Sequence, residues 1–183
     1  MVEELIRKRR SIFPAQYSSQ QIPDDLVRRI VEAARWAPTH RKTEPWRLKV
    51  LTADTRVELG KFLSEKYLAT EENPKKFKAQ KLLNNPAKAG AMIVICMQRD
   101  PENRVPEWEE IAATAMAVQN MWLVATNLGI GAYWSSPGLI KYMGEFLELA
   151  EGERCLGFFY MGYPEIPAEA VDRKPLEEVV AWL

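Results

Sequence analysis

Ile111-Ala112-Ala113-Thr114-Ala115-Met116-Ala117-Val118-Gln119-Asn120-Met121-Trp122-Leu123-Val124-Ala125-Thr126-Asn127-Leu128 opens a run that continues to Ile140 without Asp, Glu, Lys, Arg or His, in a chain that is 27% charged. Pro106 and the acids Glu107, Glu109 and Glu110 mark a helix start, since proline suits the first turn and carboxylates favour the positive end of the helix dipole. Gly129-Ile130-Gly131 ends the helix. A helix that is apolar on every side must be enclosed, by protein or by lipid. From Ile111 to Leu128 it would rise about 27 Å, close to the ~30 Å of a bilayer core, so length does not decide. Polarity does: Gln119, Asn120 and Asn127 each need hydrogen-bond partners that hydrocarbon lacks. The stretch reads as a buried central helix, and its clustered alanines let another backbone approach closely, including that of a second subunit.

The rest of the composition fits one soluble domain over residues 1–183. Hydrophobic residues make up 47% of the chain, enough for a real core. Twenty-five basic residues balance twenty-five acidic ones, which gives no global field for nucleic acid or an anionic membrane. Cys96 and Cys155 both sit in apolar runs, as small buried hydrophobes in a reducing compartment do. His40 is the sole histidine, which excludes a multi-histidine metal site. The N-terminus has no apolar h-region, so the expected location is cytoplasmic.

Working outward from the central helix, residues 2–10 predict a short helix ending in Arg7, Lys8, Arg9 and Arg10, the favourable sign at a C-terminus. Pro23, Asp24 and Asp25 open a second helix, whose Leu26, Val27, Ile30, Val31, Ala33 and Ala34 recur at helical spacing until Pro38. Pro38 to Pro45 is a polar loop. Trp46, Leu48 and Val50 alternate with Arg47 and Lys49, the period of a strand. Residues 55–69 predict a third helix with Asp54 as its cap, and residues 71–81 a solvated helix or excursion. Ala91 to Met97 has the continuous apolar character of a strand covered on both faces. Further strands are expected at 132–136 and 156–162, with a small helix at 139–147 between them. The fold class is α+β, a three-layer α/β/α sandwich around one mixed sheet.

Hydrolytic and nucleotide motifs are absent: there is no Gly-x-Ser-x-Gly, no histidine pair, no Walker pattern, and Gly129-x-Gly131 closes a helix rather than opening one. What remains is cations in two distant places, Arg7 to Arg10 and Arg173-Lys174. Taken alone, the first cluster is equally a solvated helix end. An RNA-binding reading lacks flanking aromatic platforms and net positive charge.

Arg9-Arg10-Ser11 after an N-terminal helix, Ala37-Pro38-Thr39-His40 through Glu44-Pro45-Trp46, Gly129-Ile130-Gly131-Ala132-Tyr133-Trp134, and Gly162-Tyr163-Pro164 followed by Arg173-Lys174-Pro175 together resemble the FMN-dependent nitroreductase family. The short length and Val105-Pro106-x-Trp108-Glu109 resemble its minimal, single-domain NAD(P)H nitroreductase branch. The resemblance implies a homodimer with FMN at the interface, long central helices between subunits, and a C-terminal tail, about 163–183, that packs on the partner. It implies FMN phosphate and ribityl contacts from Arg9, Arg10 and Ser11, completed by Arg173 and Lys174. It further implies flavin contact by His40 and a ring floor made by Tyr133, Trp134, Ser135 and Ser136. NADH or NADPH would be the reductant, with flavin N5 carrying the hydride and no catalytic side chain demanded. Nitroaromatics or quinones would serve as acceptors. Dehalogenation, ene or imine reduction, a flavin-binding module and a purely structural helical protein are the alternatives. Lys42 and Glu44 stand where relatives often carry Asn and Gln, and Phe13 where many carry a cation that stabilises the reduced ring. Trp36, Trp46, Trp108 and Trp122 are assigned to packing or the subunit interface.

Overall fold

The computed structural model describes residues 1–166, 168 and 171–183. Its helices are α1 (Val2–Lys8), α2 (Asp24–Ala34), α3 (Ala53–Thr70), α4 (Lys76–Lys88) and α5 (Glu107–Asn127). Its strands are β1 (Trp46–Leu51), β2 (Ala91–Gln98), β3 (Gly131–Ser135) and β4 (Glu153–Gly162), in the spatial order β1-β2-β4-β3. The small helix before β4 is a 3₁₀ segment, Gly138–Glu145.

The α+β sandwich is present, with one difference from the expected mixed sheet: all three strand ladders are antiparallel. Connectivity explains it. Two helices, α3 and α4, join β1 to β2, and each reverses the chain, so β2 returns antiparallel to β1. The single helix α5 carries β2 to a β3 of the same direction, but β4 inserts between them and opposes both. Parallel pairing among the described residues is confined to the isolated bridge between Ser11 and Ala132.

Side chains alternate across the sheet as the strand period requires. Ile93, Ile95, Phe159 and Met161 face α2 and α5 in one core cluster, while Met92, Val94, Cys96, Phe158 and Tyr160 face α3 and α4 in the other. Leu156 interrupts the β2/β4 register as a bulge, so that Ile95 pairs with Gly157 and Cys96 with Cys155. Gly157 has φ of +148°, and a Cβ there would lie 2.3 Å from the Trp134 indole nitrogen. Only glycine suits that position.

One local expectation changes, and one open reading is decided. The α3 cap is Thr52, whose hydroxyl accepts from the Thr55 amide at 3.2 Å; Asp54 already lies inside the helix. The charged stretch after it becomes α4, which packs along α3 and buries Ala79.

The chain encloses α5 on one face rather than on every side. Glu110, Ala113, Thr114, Ala117, Val118, Met121 and Ala125 are buried against the sheet and α2. Trp108 and Met116 on the reverse face are 67% and 39% exposed. No helix among the described residues is long and apolar enough to cross a membrane.

Glu110, read from sequence as a first-turn acid, is 1% exposed and anchors the β2–α5 connection. Its carboxylate pairs with the Arg99 guanidinium and accepts from the Asp100 amide at 2.8 Å. Asp100 in turn accepts from Arg104 Nε and NH2 at 2.9 and 2.8 Å. These Arg104 hydrogen bonds draw the Asp100 carboxyl down from 3.8 to about 2. A carboxylate with a depressed folded pKa contributes stability that is complete above its unfolded value and lost as pH falls through the folded one. Urea midpoints should therefore decline between about pH 4 and pH 2, and Asp100→Asn should lower stability at neutral pH while flattening that decline.

Candidate functional site

α1 ends where its cations meet α5. The Arg9 guanidinium lies over the Trp122 ring, 4.6 Å from its centroid, and the Trp122 indole N–H donates to the Arg10 carbonyl at 3.3 Å. Arg10 folds its guanidinium back onto the carbonyls of Arg7 and Arg9. Ser11 then bridges to Ala132 at the start of β3, with the Ile12 amide donating to the Ala132 carbonyl at 3.0 Å. The C-terminal tail brings Arg173 into the same neighbourhood. Partial burial, then the charges of Arg173 and Arg10, hold the Arg9 pKa below its ordinary value.

Three guanidiniums thus gather from opposite ends of the chain. Among the described residues none of them pairs with a carboxylate. Cations crowded and partly desolvated without counter-charge disfavour one another until an anion joins them. Lys174, exposed like Arg173, lies 3.8 Å from Glu178. Behind the cluster lies a cavity of about 260 Å³ lined in part by Arg10, Thr126, Gly131 and Pro164.

The neighbouring wall is aromatic. Tyr133 sits 4.6 Å from the exposed ring of Phe13 and 6.1 Å from Tyr160, centroid to centroid. Trp134 points to the other face of the sheet, half-buried, with its indole N–H donating to the Leu156 carbonyl at 3.3 Å. Ser135 is half-buried and Ser136 exposed beyond the strand end.

His40 lies elsewhere. Its Nδ1 is 2.5 Å from Glu109 Oε2, in the first turn of α5. Glu109 and Trp122 are thirteen positions apart, which on an α-helix is about 20 Å. One chain therefore presents two separate groups, the Arg9–Ser11–Tyr133–Arg173 cluster near the end of α5 and His40 near its beginning. The His40 loop is also strained: Arg41, Lys42 and Glu44 have φ of 49°, 54° and 41°. Left-handed conformations of this kind cost about 1–2 kcal/mol each in L-residues, and a threonine pair over-determines them here. Thr39 Oγ1 lies 3.1 Å from Thr43 Oγ1 and accepts from the Glu44 amide at 3.2 Å.

Glu109, the partner of His40, was not singled out as a site residue because it reads as an ordinary helix-start acid. The platform role of Trp122 was likewise hidden in an apolar run. The left-handed turn gives no signal either, since Arg, Lys and Glu are not residues that favour it. The tail is tied to its own subunit at its root, where Pro164 bridges to Tyr17 and the Glu165 amide donates to the Gln16 carbonyl at 2.9 Å. Val171, Val179, Trp182 and Leu183 further along are exposed. Within the expected tail, Pro167, Glu169 and Ala170 lie outside the described residues.

The family model described as Nitroreductase family matches residues 6–163. The chain belongs to the nitroreductase family. A Bacillus subtilis (strain 168) protein named "Putative NAD(P)H nitroreductase YfhC" is 26% identical over 181 residues, covering 97% of this chain and 92% of its own. A nitroreductase-like family protein from Bacillus cereus superposes with a TM-score of 0.84 at 26% identity, covering 100% of this chain and 96% of that one. A Desulfovibrio desulfuricans structure in complex with FMN superposes with a TM-score of 0.77 at 27% identity, with the same coverages. The nitroreductase match spans both the Arg9 cluster and the His40 loop but stops before Arg173.

Relieving one of these left-handed residues, Lys42→Gly should raise stability by about 1 kcal/mol, read as a higher urea midpoint with an unchanged m-value.

Proposed function

We propose that this chain is an FMN-dependent NAD(P)H oxidoreductase that reduces electron-poor acceptors, such as nitroaromatics or quinones, by ping-pong kinetics. The observation that carries the reading is the convergence of Arg9 and Arg173 on one cationic cluster without a described counter-charge, beside the exposed Phe13–Tyr133 wall. A phosphate monoester of nearly two negative charges suits that cluster, because guanidinium forks bind it through charge-assisted hydrogen bonds. When bound, FMN supplies the two-electron relay, taking hydride from NAD(P)H at N5 and passing it to the acceptor in a separate step. Arg9 and Arg173 neutralise the phosphate, with Arg10 and Lys174 adding field. Ser11 supports the ribityl chain at the Ala132 bridge, and Tyr133, Ser135 and Ser136 form the floor under the ring and shield it from water, while Trp134 backs that floor from the other face of the sheet. The FMN in the Desulfovibrio desulfuricans structure and the NAD(P)H in the relative's name support this choice of cofactor and reductant. A reducing, cytoplasmic setting agrees with the two free, buried cysteines.

His40 reaches the same ring from a second copy of the chain. The uncovered stripe of α5, containing Trp108, Ala112, Ala115, Met116, Gln119 and Leu123, is one continuous helical face. The midpoint between Glu109 and Trp122 falls at Ala115–Met116. A two-fold axis there lays two α5 helices antiparallel and sets His40 of the partner subunit beside Arg9 and Trp122. The small Ala112 and Ala115 side chains allow the close approach, and exposed Trp36 and Trp108 find cover.

Purified protein reconstituted with FMN should be yellow and should bleach anaerobically with NADH or NADPH; protein that takes up no FMN refutes the reading. The Arg9→Ala/Arg173→Ala variant should keep its circular dichroism yet bind FMN at least about 100-fold more weakly. Arg9→Ala and His40→Ala chains, each impaired alone, should regain about a quarter of wild-type turnover after unfolding and refolding together, because half the dimers then hold one intact site. Failure to regain any activity would put both groups in one chain's site.

A further inference from the structure

Among the buried nucleophiles that the proposed flavin chemistry leaves unused, the two cysteines stand out by position. Without the Leu156 bulge, the strand period would turn Cys155 away from the face that carries Cys96. With it, Cys96 and Cys155 become direct cross-strand partners in the β2/β4 ladder, and both side chains belong to the core cluster facing α3. Each thiol perturbs the titration of the other. Opposed residues of an antiparallel pair have Cα atoms about 4.5–5.5 Å apart, inside the roughly 4.4–6.8 Å window of a disulfide. Both are free thiols in this structure. A polar edge adjoins them, where Lys49 Nζ lies 2.8 Å from Glu153 Oε1. The pair faces α3, on the side of the sheet opposite α5 and in the core cluster against which Tyr133 packs, and the flavin reading assigns neither thiol a role.

We infer that Cys96 and Cys155 form an oxidisable dithiol site whose co-reactant is a small peroxide. The two thiols have different tasks. Cys155 is the slightly more accessible, 6% exposed against 0% for Cys96. Cys155 Sγ donates to the Gly157 carbonyl at 3.6 Å; the neighbouring Cys96 draws the Cys155 pKa below its ordinary value, while Cys155 and burial push Cys96 up. Cys155 is therefore the attacking sulfur, since the thiolate is the nucleophile. Its thiolate attacks one peroxide oxygen, an S–O bond forms as O–O breaks, and the departing hydroxide takes a proton to become water, leaving a sulfenic acid. Cys96 then attacks the Cys155 sulfur, S–S forms as S–O breaks, and the second oxygen leaves with the Cys96 proton as water. The net change is two thiols and one hydrogen peroxide to one disulfide and two waters, with two electrons moving from sulfur to peroxide.

The chain has two cysteines only, so an intrachain disulfide has a single assignment. Reduced, full-length protein is exposed to hydrogen peroxide in its native state, then denatured, alkylated and analysed by mass. The expected result is loss of alkylation at both cysteines, a crosslinked peptide pair lacking two hydrogens, and a melting midpoint raised on the order of 10 °C that dithiothreitol reverses. Cys96→Ser should leave Cys155 trappable as a sulfenic acid by a cyclic dione, whereas Cys155→Ser should leave Cys96 alkylatable. Full alkylation of both cysteines after peroxide, a disulfide between chains, or sulfinic acid on Cys155 with Cys96 still alkylatable would each overturn the inference.

Discussion

Contact between the alanine-rich face of α5 and the sheet sets the spacing of everything chemically distinctive in this molecule. Ala113, Ala117 and Ala125 are buried where the helix meets the sheet and α2, so the helix backbone runs close to both. Three of the polar side chains along it are satisfied in place. Asn120 donates to the Ala33 carbonyl at 3.2 Å, and the Thr114 and Thr126 hydroxyls donate to carbonyls one turn back. With the helix so fixed at both faces of its contact, its length becomes a ruler: Glu109 holds His40 at one end and Trp122 holds Arg9 near the other.

Most of the architecture was readable from period and punctuation. The breaks at Pro23, Pro38, Pro106 and Gly129 bound helices, and the unbroken apolar run at 91–97 is indeed a strand buried on both faces, because those signals act locally. Sheet direction was not readable, since it depends on counting helices between strands, and the charged stretch at 71–81 left a helix and an excursion equally open until α4 settled it as a helix. The same limit applies to the bulge at Leu156. A bulge is defined by what the partner strand does, and nothing in Cys155-Leu156-Gly157 alone says that one residue will be skipped.

The site divides along the same line. Arg9, Ser11 and Arg173 were anticipated together only because their motifs occur in a family's order; nothing local links residue 9 to residue 173. Burial, and then the charges of Arg173 and Arg10, lower the Arg9 pKa. Glu109 escaped notice for the opposite reason, since helix-start acids are common and explain themselves. The apparent excess of apolar surface on α5 is the part of the pattern that one chain does not account for. Trp108, Met116 and Trp36 stay exposed after every intrachain contact has formed, and a surface patch of that kind marks a place where another surface belongs.

Charge is distributed unevenly across the proposed pocket, and that bears on how it would work. The chain as a whole is neutral, yet Arg9 and Arg10, with no carboxylate partner among the described residues, stand together at the end of α1 and feel the charge of Arg173, a field suited to a phosphate. Phe13, where many relatives carry a cation, instead packs at a tilt against Tyr133 and contributes no charge. On the reading proposed here, negative charge that develops on a reduced ring would have to be met by the dipoles of β3 and by the loop of a second subunit, rather than by a lysine or arginine beside Ser11. Such an arrangement ties the reducing power of the pocket to dimer contact. The same α5 surface that lacks a partner in one chain would then decide both where the ring lies and how readily it accepts electrons.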